Sequence, residues 1–567
     1  MIQPERLDQE ETAPGVEPAA AKNKQIGRVA SIDGSNAVIA ARIGSDKDAG
    51  EDRIQIGAIL SIDVGETVAL GLISAMSAPP AALNLGNDNH GPVDCFVEVE
   101  LMGEFAKPTP RSPGRFRRGV SSYPSIGDGA FLASRDELAA LYLSNSGASV
   151  RVGVIKQDAS IPATVNVNNL FSRHCAILGT TGAGKSCATA LILNSVLRKY
   201  PFAHVVVLDV HNEYANCFGS KAMVFNPSTL NLPFWMLTFE ELTEILYPNG
   251  NEGEEEKGIL LELIPTARKM NLGACANASN LMADRRGDNN VVTVNTPTPY
   301  RVSDLLTLID KALGGLETSR ATAPFKRLRG RLKQISTDAR YSFMFGSLTV
   351  QDSMAKLLGQ LFRIPVQESP VSVIELGGLP EEVSQVVVSV ISRMAYEFGL
   401  WSNGATPIAL FIEDAHRFAS DDDAIGFAPT KRSLIKIAKE GRKTGVSLFV
   451  ASQRPTELDP TVLSQCNTIF AMRLANQADQ EALRAAVPDA ATSLLSALPS
   501  LGLGEAVAVG ESVALPSRIR FDALPREEIP RSLTSSFTDA WAIANEDHSF
   551  LERVVDQWRT QRILETD

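Results

Sequence analysis

The sequence predicts an α/β fold: a parallel sheet covered on both faces, preceded by a small β-rich domain and interrupted by a helical segment. Three observations carry this. The stretch GTTGAGKS, Gly179–Ser186, lies between the apolar run HCAIL and the segment CATALILNSVLRKY, whose apolar residues recur at helical spacing. Five further continuous apolar runs follow: VVVLDV (205–210), VSVIEL (371–376), PIALFIED (407–414), VSLFVASQ (446–453) and TIFAMRLA (468–475), with helical patterns between most of them. Strands buried on both faces read in this way. Upstream, short alternating segments are punctuated by glycine and aspartate turns, as in a small barrel.

Length and composition set the bounds. A chain of 567 residues is long enough for two to four domains, and 44% hydrophobic with 21% charged residues is ordinary for a globular protein. No apolar run reaches the length that spans a bilayer, and residues 1–23 show no signal or transit character, so a cytoplasmic protein with a disordered N-terminal arm is expected. The six cysteines are scattered without a CxxC pair and read as reduced thiols. The net charge of −12 argues against a uniformly basic surface, but a local basic channel for nucleic acid remains compatible with it.

Taken in order, residues 24–162 form the expected barrel, from IGRVASI, AVIAARI, ETVALGLIS, CFVEVEL and SVRVGVI. A loop carrying Arg111, Arg115, Arg117 and Arg118 is either solvated or phosphate-contacting. Residues 163–236 and 346–525 make up the sheet-containing core. Between them, 237–345 switch to helical periodicity, with an acidic loop and a basic helix carrying Lys326, Arg327, Arg329, Arg331 and Lys333. That helix either touches nucleic acid or holds internal ion pairs. Residues 526–567 form a helical tail.

The chemistry begins with the glycine-rich loop. Strand, loop and helix are the context in which G-x-x-x-x-G-K-[ST] binds a nucleoside triphosphate. Gly179, Gly182 and Gly184 let the backbone N–H groups of the loop, with Thr180, Thr181, Ala183 and Cys187 beside them, turn towards a phosphate at a helix N-terminus. Lys185 would reach the β- and γ-phosphates and the Ser186 hydroxyl would ligate Mg²⁺. ATP hydrolysis also needs carboxylates, and Glu413 and Asp414 end the strand PIALFIED at the edge that faces the crevice of a parallel sheet. One acid would reach the metal, directly or through water, and the other would polarise the attacking water. Gln453 ends the next strand, where the γ-phosphate or the water is its natural partner. Asp209 ends VVVLD and Glu213 follows it; the two bear on water positioning, on communication with a neighbour, or on the turn itself. Arg442, near the end of the helix KRSLIKIAKEGRKTG, leaves two readings open: a finger projected into a neighbouring subunit's site, or compensation of the helix dipole.

The strings RHCAILGTTGAGKS, LDVHNEY, NLPFWML, FIEDAHRF and AKEGRKTGVSLFVASQRP with LDPTVLSQCNT together resemble the HerA branch of the HerA/FtsK ATPases. The upstream β domain resembles the HAS barrel of that family, and SFLERVVDQWRTQ resembles its C-terminal subunit brace. The resemblance implies a RecA-like P-loop NTPase core and a homo-hexameric ring that hydrolyses ATP with Mg²⁺ and moves along double-stranded DNA. It also implies an effector partner, such as a nuclease or an NAD-consuming enzyme, in DNA-end processing or anti-phage defence. By position, Lys185 and Ser186 match the phosphate-loop pair, Glu413 and Asp414 the Walker B acids, Gln453 the sensor, Arg442 the trans-acting finger and Arg173 a nucleotide-site arginine. The second acid of the family is usually glutamate, and Asp414 is one methylene shorter. Two other readings stay open: a nucleotide-stabilised scaffold that clusters an effector, and a conjugation- or secretion-type ring motor, although such motors usually carry membrane helices. Lys431, Arg432 and Lys436 are the candidate DNA contacts.

Overall fold

In the computed structural model the described residues are 25–43, 54–78, 93–107, 116–143, 148–248, 252–278, 292–315, 319–345, 352–487, 492–531, 538, 541–542 and 548–560. The expected N-terminal arm, Arg111, Arg115 and part of the acidic loop lie outside them. The chain divides into two compact units, Met1–Leu141 and Tyr142–Asp567.

The first unit is a closed barrel. Its strands are β1 (Gln25–Asp33), β2 (Asn36–Ile43), β3 (Ile59–Val64), β4 (Thr67–Ser77), β5 (Val93–Ala106), β6 (Phe116–Arg118) and β7 (Gly129–Leu132). The order β2-β1-β7-β3-β4-β5 closes through pairing of β2 with β5, and β6 hangs on β5 outside the ring. Alternation puts Val29, Ile39, Leu60, Ile62, Ile73, Val97 and Val99 inside, each at most 2% exposed. Closure leaves no edge in the ring to pair with another chain.

The second unit is built on an eleven-stranded sheet. Its strands are β8 (Ser149–Ile155), β9 (Pro162–Asn166), β10 (Cys175–Leu178), β11 (Val205–Asp209), β12 (Ala222–Phe225), β13 (Val371–Glu375), β14 (Ile408–Ile412), β15 (Val446–Ser452), β16 (Thr468–Ala471), β17 (Glu505–Gly510) and β18 (Ser517–Phe521). The order is β12-β13-β11-β14-β15-β10-β16-β17-β18-β8-β9. From β12 to β16 every pairing is parallel; from β16 to β9 every pairing is antiparallel. The strands β10, β11, β15 and β16 are buried along their whole length, which explains their unbroken apolar sequence.

One boundary differs from the sequence expectation. SVRVGVI, grouped above with the barrel, is β8, and it pairs with β18 through Ile155 and Ile519 and with β9 through Ser149 and Asn166. The barrel unit therefore ends at Leu141, before the expected limit of 162. Alternation marks a half-buried strand without naming the sheet it joins.

Between β12 and β13 the described residues form helices and loops, principally Glu254–Ala278, Val302–Gly314 and Ser319–Thr337. The tail contains the helix His548–Thr560, with Phe550, Leu551 and Val554 exposed. Among the described residues, no helix is long and apolar enough to cross a membrane.

Candidate active site

The strand β10 lies between β15 and β16 and delivers the glycine-rich loop at its C-terminal end. Gly182 has φ 76° and Gly184 φ 102°, in the left-handed region where a Cβ is strained. These two turns fold the loop back so that the helix Lys185–Lys199 starts directly behind it. The loop is pinned from outside: the Thr180 N–H and hydroxyl both donate to the Arg473 carbonyl, at 2.9 and 3.1 Å. The Gly179 N–H donates to the Ser452 carbonyl at 3.2 Å. What remains is a concave set of backbone donors at a helix N-terminus, suited to phosphate. Lys185 folds over it and donates to the Thr180 carbonyl at 3.3 Å. Burial pulls its ammonium below the usual lysine range, against the charges of Asp414, Glu413 and Glu213, which face it. Cys187 is exposed one residue past Ser186.

The acids meet the loop from β14 and β11. Glu413 is 5% exposed, and its Oε2 is buried without a hydrogen-bond partner. Burial, with Asp209, Glu213 and Asp414 close by, pushes its carboxyl well above the ordinary range. Asp209 is fully buried and accepts the N–H groups of Glu213 (3.1 Å) and Tyr214 (2.8 Å). It therefore caps the turn that follows β11, the turn-stabilising role among those expected, while facing Glu413. Tyr214 is also fully buried, its ring edge-on to Phe411 at 5.4 Å and its hydroxyl beside Ser186 and Thr189. A buried carboxyl pushed up for want of positive charge, with one oxygen left without a partner, is a hard oxygen donor that fits a divalent cation. Ser186 and Glu413 are the residues that could hold Mg²⁺.

Asp414 has φ 46°, a left-handed conformation unusual outside glycine. The turn aims its carboxylate sideways along the crevice. The Gln453 amide donates to Oδ1 at 3.0 Å and Oδ2 at 2.9 Å, and His211 Nε2 donates to Oδ2 at 2.9 Å. Burial would raise the Asp414 carboxyl, but the hydrogen bonds from His211 and Gln453 outweigh it and hold the group low. Gln453 also accepts a hydrogen bond from the Thr181 hydroxyl, so loop, amide, carboxylate and imidazole form one chain. The sequence reading missed His211, although it stands two residues beyond Asp209 in the same quoted string. A polar residue just past a fully buried strand was the available signal.

The arginines lie elsewhere. The chain enters β10 at Cys175, so Arg173 is at the edge where the parallel strands begin, opposite the loop. Four strand residues separate the two edges by about 13 Å. Within one chain, then, Arg173 does not reach the crevice where it was expected; its guanidinium pairs with Glu511. The helix Ala428–Thr444 ends two residues before β15 begins, which puts exposed Arg442 at the same starting edge. His174 joins the two regions. Its Nδ1 accepts the Leu448 N–H at 2.9 Å and its Nε2 donates to the Ala438 carbonyl at 3.0 Å. Burial keeps this ring neutral by pulling it below the usual histidine value. Its native pKa is depressed, so its contribution is complete above the ordinary histidine range and is lost as pH falls through the lower native value. Replacing His174 by alanine strands two buried backbone groups and should destabilise the unit by about 2–4 kcal/mol; urea unfolding midpoints would measure it.

The candidate DNA contacts are committed within the chain. Lys431 pairs with Asp423 (2.6 Å) and Asp459 (3.3 Å), Arg432 pairs with Glu240 (2.9 Å), and Lys436 lies 4.5 Å from the Tyr396 ring centroid. On the basic helix, Arg327 pairs with Glu255 and Glu256 and Arg329 with Asp310, the internal ion pairs of the second reading.

The chain is similar to several known proteins. A family model described as the central domain of helicase HerA matches residues 150–395. A probable helicase of Methanocaldococcus jannaschii is 27% identical over 406 residues, covering 68% of this chain and 72% of the relative. The DNA double-strand break repair helicase HerA of Pyrococcus furiosus is 26% identical over 431 residues, covering 70% and 72%. The structure of VirB4 of Thermoanaerobacter pseudethanolicus aligns with a TM-score of 0.46 at 16% identity, over 67% of this chain and 98% of that one. With the match to the HerA central domain spanning the phosphate loop, and a closed barrel in the first unit, the chain is a P-loop ATPase similar to the HerA helicases.

Proposed function

We propose that the chain works as a cytoplasmic homo-hexameric ring that moves along double-stranded DNA at the expense of ATP. We assign it a partner nuclease or other effector in DNA-end processing or anti-phage defence. The observation that carries this reading is the split of the machinery across the sheet. The phosphate loop, Glu413, Asp414 and Gln453 lie at one edge, and Arg173 and Arg442 at the other. Such a site is completed when one copy's finishing edge meets the next copy's starting edge, the heterologous contact from which rings are built. Relatives named for DNA double-strand break repair support DNA as the track.

In this reading the loop from Gly179 to Gly184, with the N–H groups of Lys185, Ser186 and Cys187, wraps the phosphates. Lys185 bridges the β- and γ-phosphates. Ser186 and Glu413 would hold Mg²⁺, which would supply positive charge to offset that of the phosphates. Gln453 and Asp414 set the position of the attacking water, and Asp209 keeps the β11 turn in register. Arg442 and Arg173 of one copy complete the neighbour's site. A motor of this type grips phosphates in preference to base edges. Hydrolysis by the full-length protein is expected to rise on addition of long duplex DNA of any sequence, with the stimulation falling steeply as salt is raised. Hydrolysis indifferent to DNA at low salt, or a protein that stays monomeric by mass photometry with ATP and DNA present, would remove the motor reading.

A further inference from the structure

We propose that His211 is the proton acceptor for the attacking water, and that Asp414 acts on the water through it by orienting the ring and balancing its charge. The proposal rests on the reading of the glycine-rich loop as the ATP site.

The geometry comes first. Asp414 is short, and both of its oxygens are already engaged, Oδ1 by Gln453 and Oδ2 by Gln453 and His211. Its left-handed backbone turns the carboxylate towards His211. His211 spends one nitrogen on that contact, since Nε2 carries the proton it donates to Asp414. Nδ1 is then left with its lone pair, and among the described residues it makes no hydrogen bond. The side chain is 47% exposed, at the edge where β11 ends and the phosphate loop opens. The Thr181–Gln453–Asp414–His211 chain ties this ring to the loop that would carry the γ-phosphate. An imidazole whose far nitrogen is anchored by a carboxylate has its tautomer and direction fixed, and the carboxylate stabilises the imidazolium that forms.

The electrostatic setting agrees. The charged groups facing the ring are Asp414, Glu213 and Arg417. The hydrogen bond that the ring donates to Asp414 raises its pKa most, the Asp414 and Glu213 charges add to this, and burial and Arg417 oppose it.

The step balances simply. The water oxygen forms a bond to the γ-phosphorus as the bond from that phosphorus to the β,γ-bridging oxygen breaks, and ADP leaves with the electron pair. The water proton passes to His211 Nδ1, and the resulting imidazolium, still hydrogen-bonded to Asp414, returns the proton to solvent. His211 thereby supplies the reach that a glutamate at position 414 would have had.

The test compares full-length His211→Ala, His211→Gln and the double variant His211→Ala/Asp414→Glu, measuring kcat from pH 5 to 9 with saturating ATP and Mg²⁺, and nucleotide affinity separately. His211→Gln keeps an amide donor for Asp414 but offers no base. Both single variants are expected to lose about 10²-fold or more in kcat, with ATP affinity little changed and the acidic limb of the pH profile gone. The double variant is expected to recover about tenfold, because the longer carboxylate reaches the water itself. Near-normal turnover in His211→Gln, or an acidic limb that persists in His211→Ala, would overturn the proposal and leave His211 an orienting group. Lys185→Ala serves as the control: if it hydrolyses ATP as fast as the parent, the ATP-site reading has failed, whatever the histidine variants do.

Discussion

Lys185→Ala should abolish ATP turnover while leaving the fold in place. Among the described residues the lysine makes a single long hydrogen bond, to the Thr180 carbonyl at 3.3 Å, so little structure depends on it. Its charge has another use. It faces Asp414, Glu413 and Glu213, and burial strips it of the water that would otherwise satisfy it. A partly desolvated ammonium ringed by acids is poised to exchange its surroundings for phosphate oxygens, and to follow the charge that develops there during transfer. Removing one preorganised donor of this kind costs about 10²–10³ in kcat. Here the loss should be larger, because the three acids would then repel the triphosphate without a counter-charge. Phosphate release measured beside a thermal melt would check both halves: turnover at background, melting temperature near that of the parent.

The second large effect concerns Arg442. Alone, Arg442→Ala should lower turnover by about 10³–10⁵-fold, the range for a finger supplied in trans. Its in-chain surroundings give no reason for such a loss: it is exposed, at the far edge of the sheet from its own phosphate loop. The decisive measurement mixes two dead proteins. Arg442→Ala keeps an intact phosphate loop and Lys185→Ala keeps an intact finger, so an equimolar mixed ring should contain roughly a quarter of its interfaces in working form. Activity that returns on mixing and grows with time of subunit exchange is the expected result. If the mixture stays inactive while light scattering reports mixed assemblies, Arg442 acts within its own chain.

These expectations were legible in the sequence to different degrees. The strands β10, β11, β14, β15 and β16 announced themselves, because burial on both faces forces an unbroken apolar run. The residues closing each run, Asp209, Glu413, Asp414 and Gln453, were readable as a group for the same reason: an apolar strand that ends in a polar side chain ends at a crevice. The allegiance of β8 was not readable, since its alternating pattern suits a barrel and a sheet margin equally. Only its partner β18, more than 350 residues downstream, decides the matter. Arg173 is close to the loop in sequence alone: it lies six residues ahead of Gly179, yet the intervening strand carries the chain across the sheet. His211 stayed hidden because its partnership depends on the left-handed turn at Asp414, a backbone choice that side-chain pattern does not encode. The inner ion pairs of the basic helix likewise depend on which acids the neighbouring helices bring alongside.

The antiparallel margin β16-β17-β18-β8-β9 has a practical consequence. It stitches a segment from before the phosphate loop to one from the distal end of the core, and Glu505 clasps Lys156 and Arg518 across that seam. Trimming the gene at the apparent start of the nucleotide fold, near residue 163, would tear away β8 and strip β18 of its neighbour, leaving a raw, adhesive strand edge. A separable motor piece has to be cut upstream of Ser149 and carried through Phe521, so that both ends of the thread stay knotted.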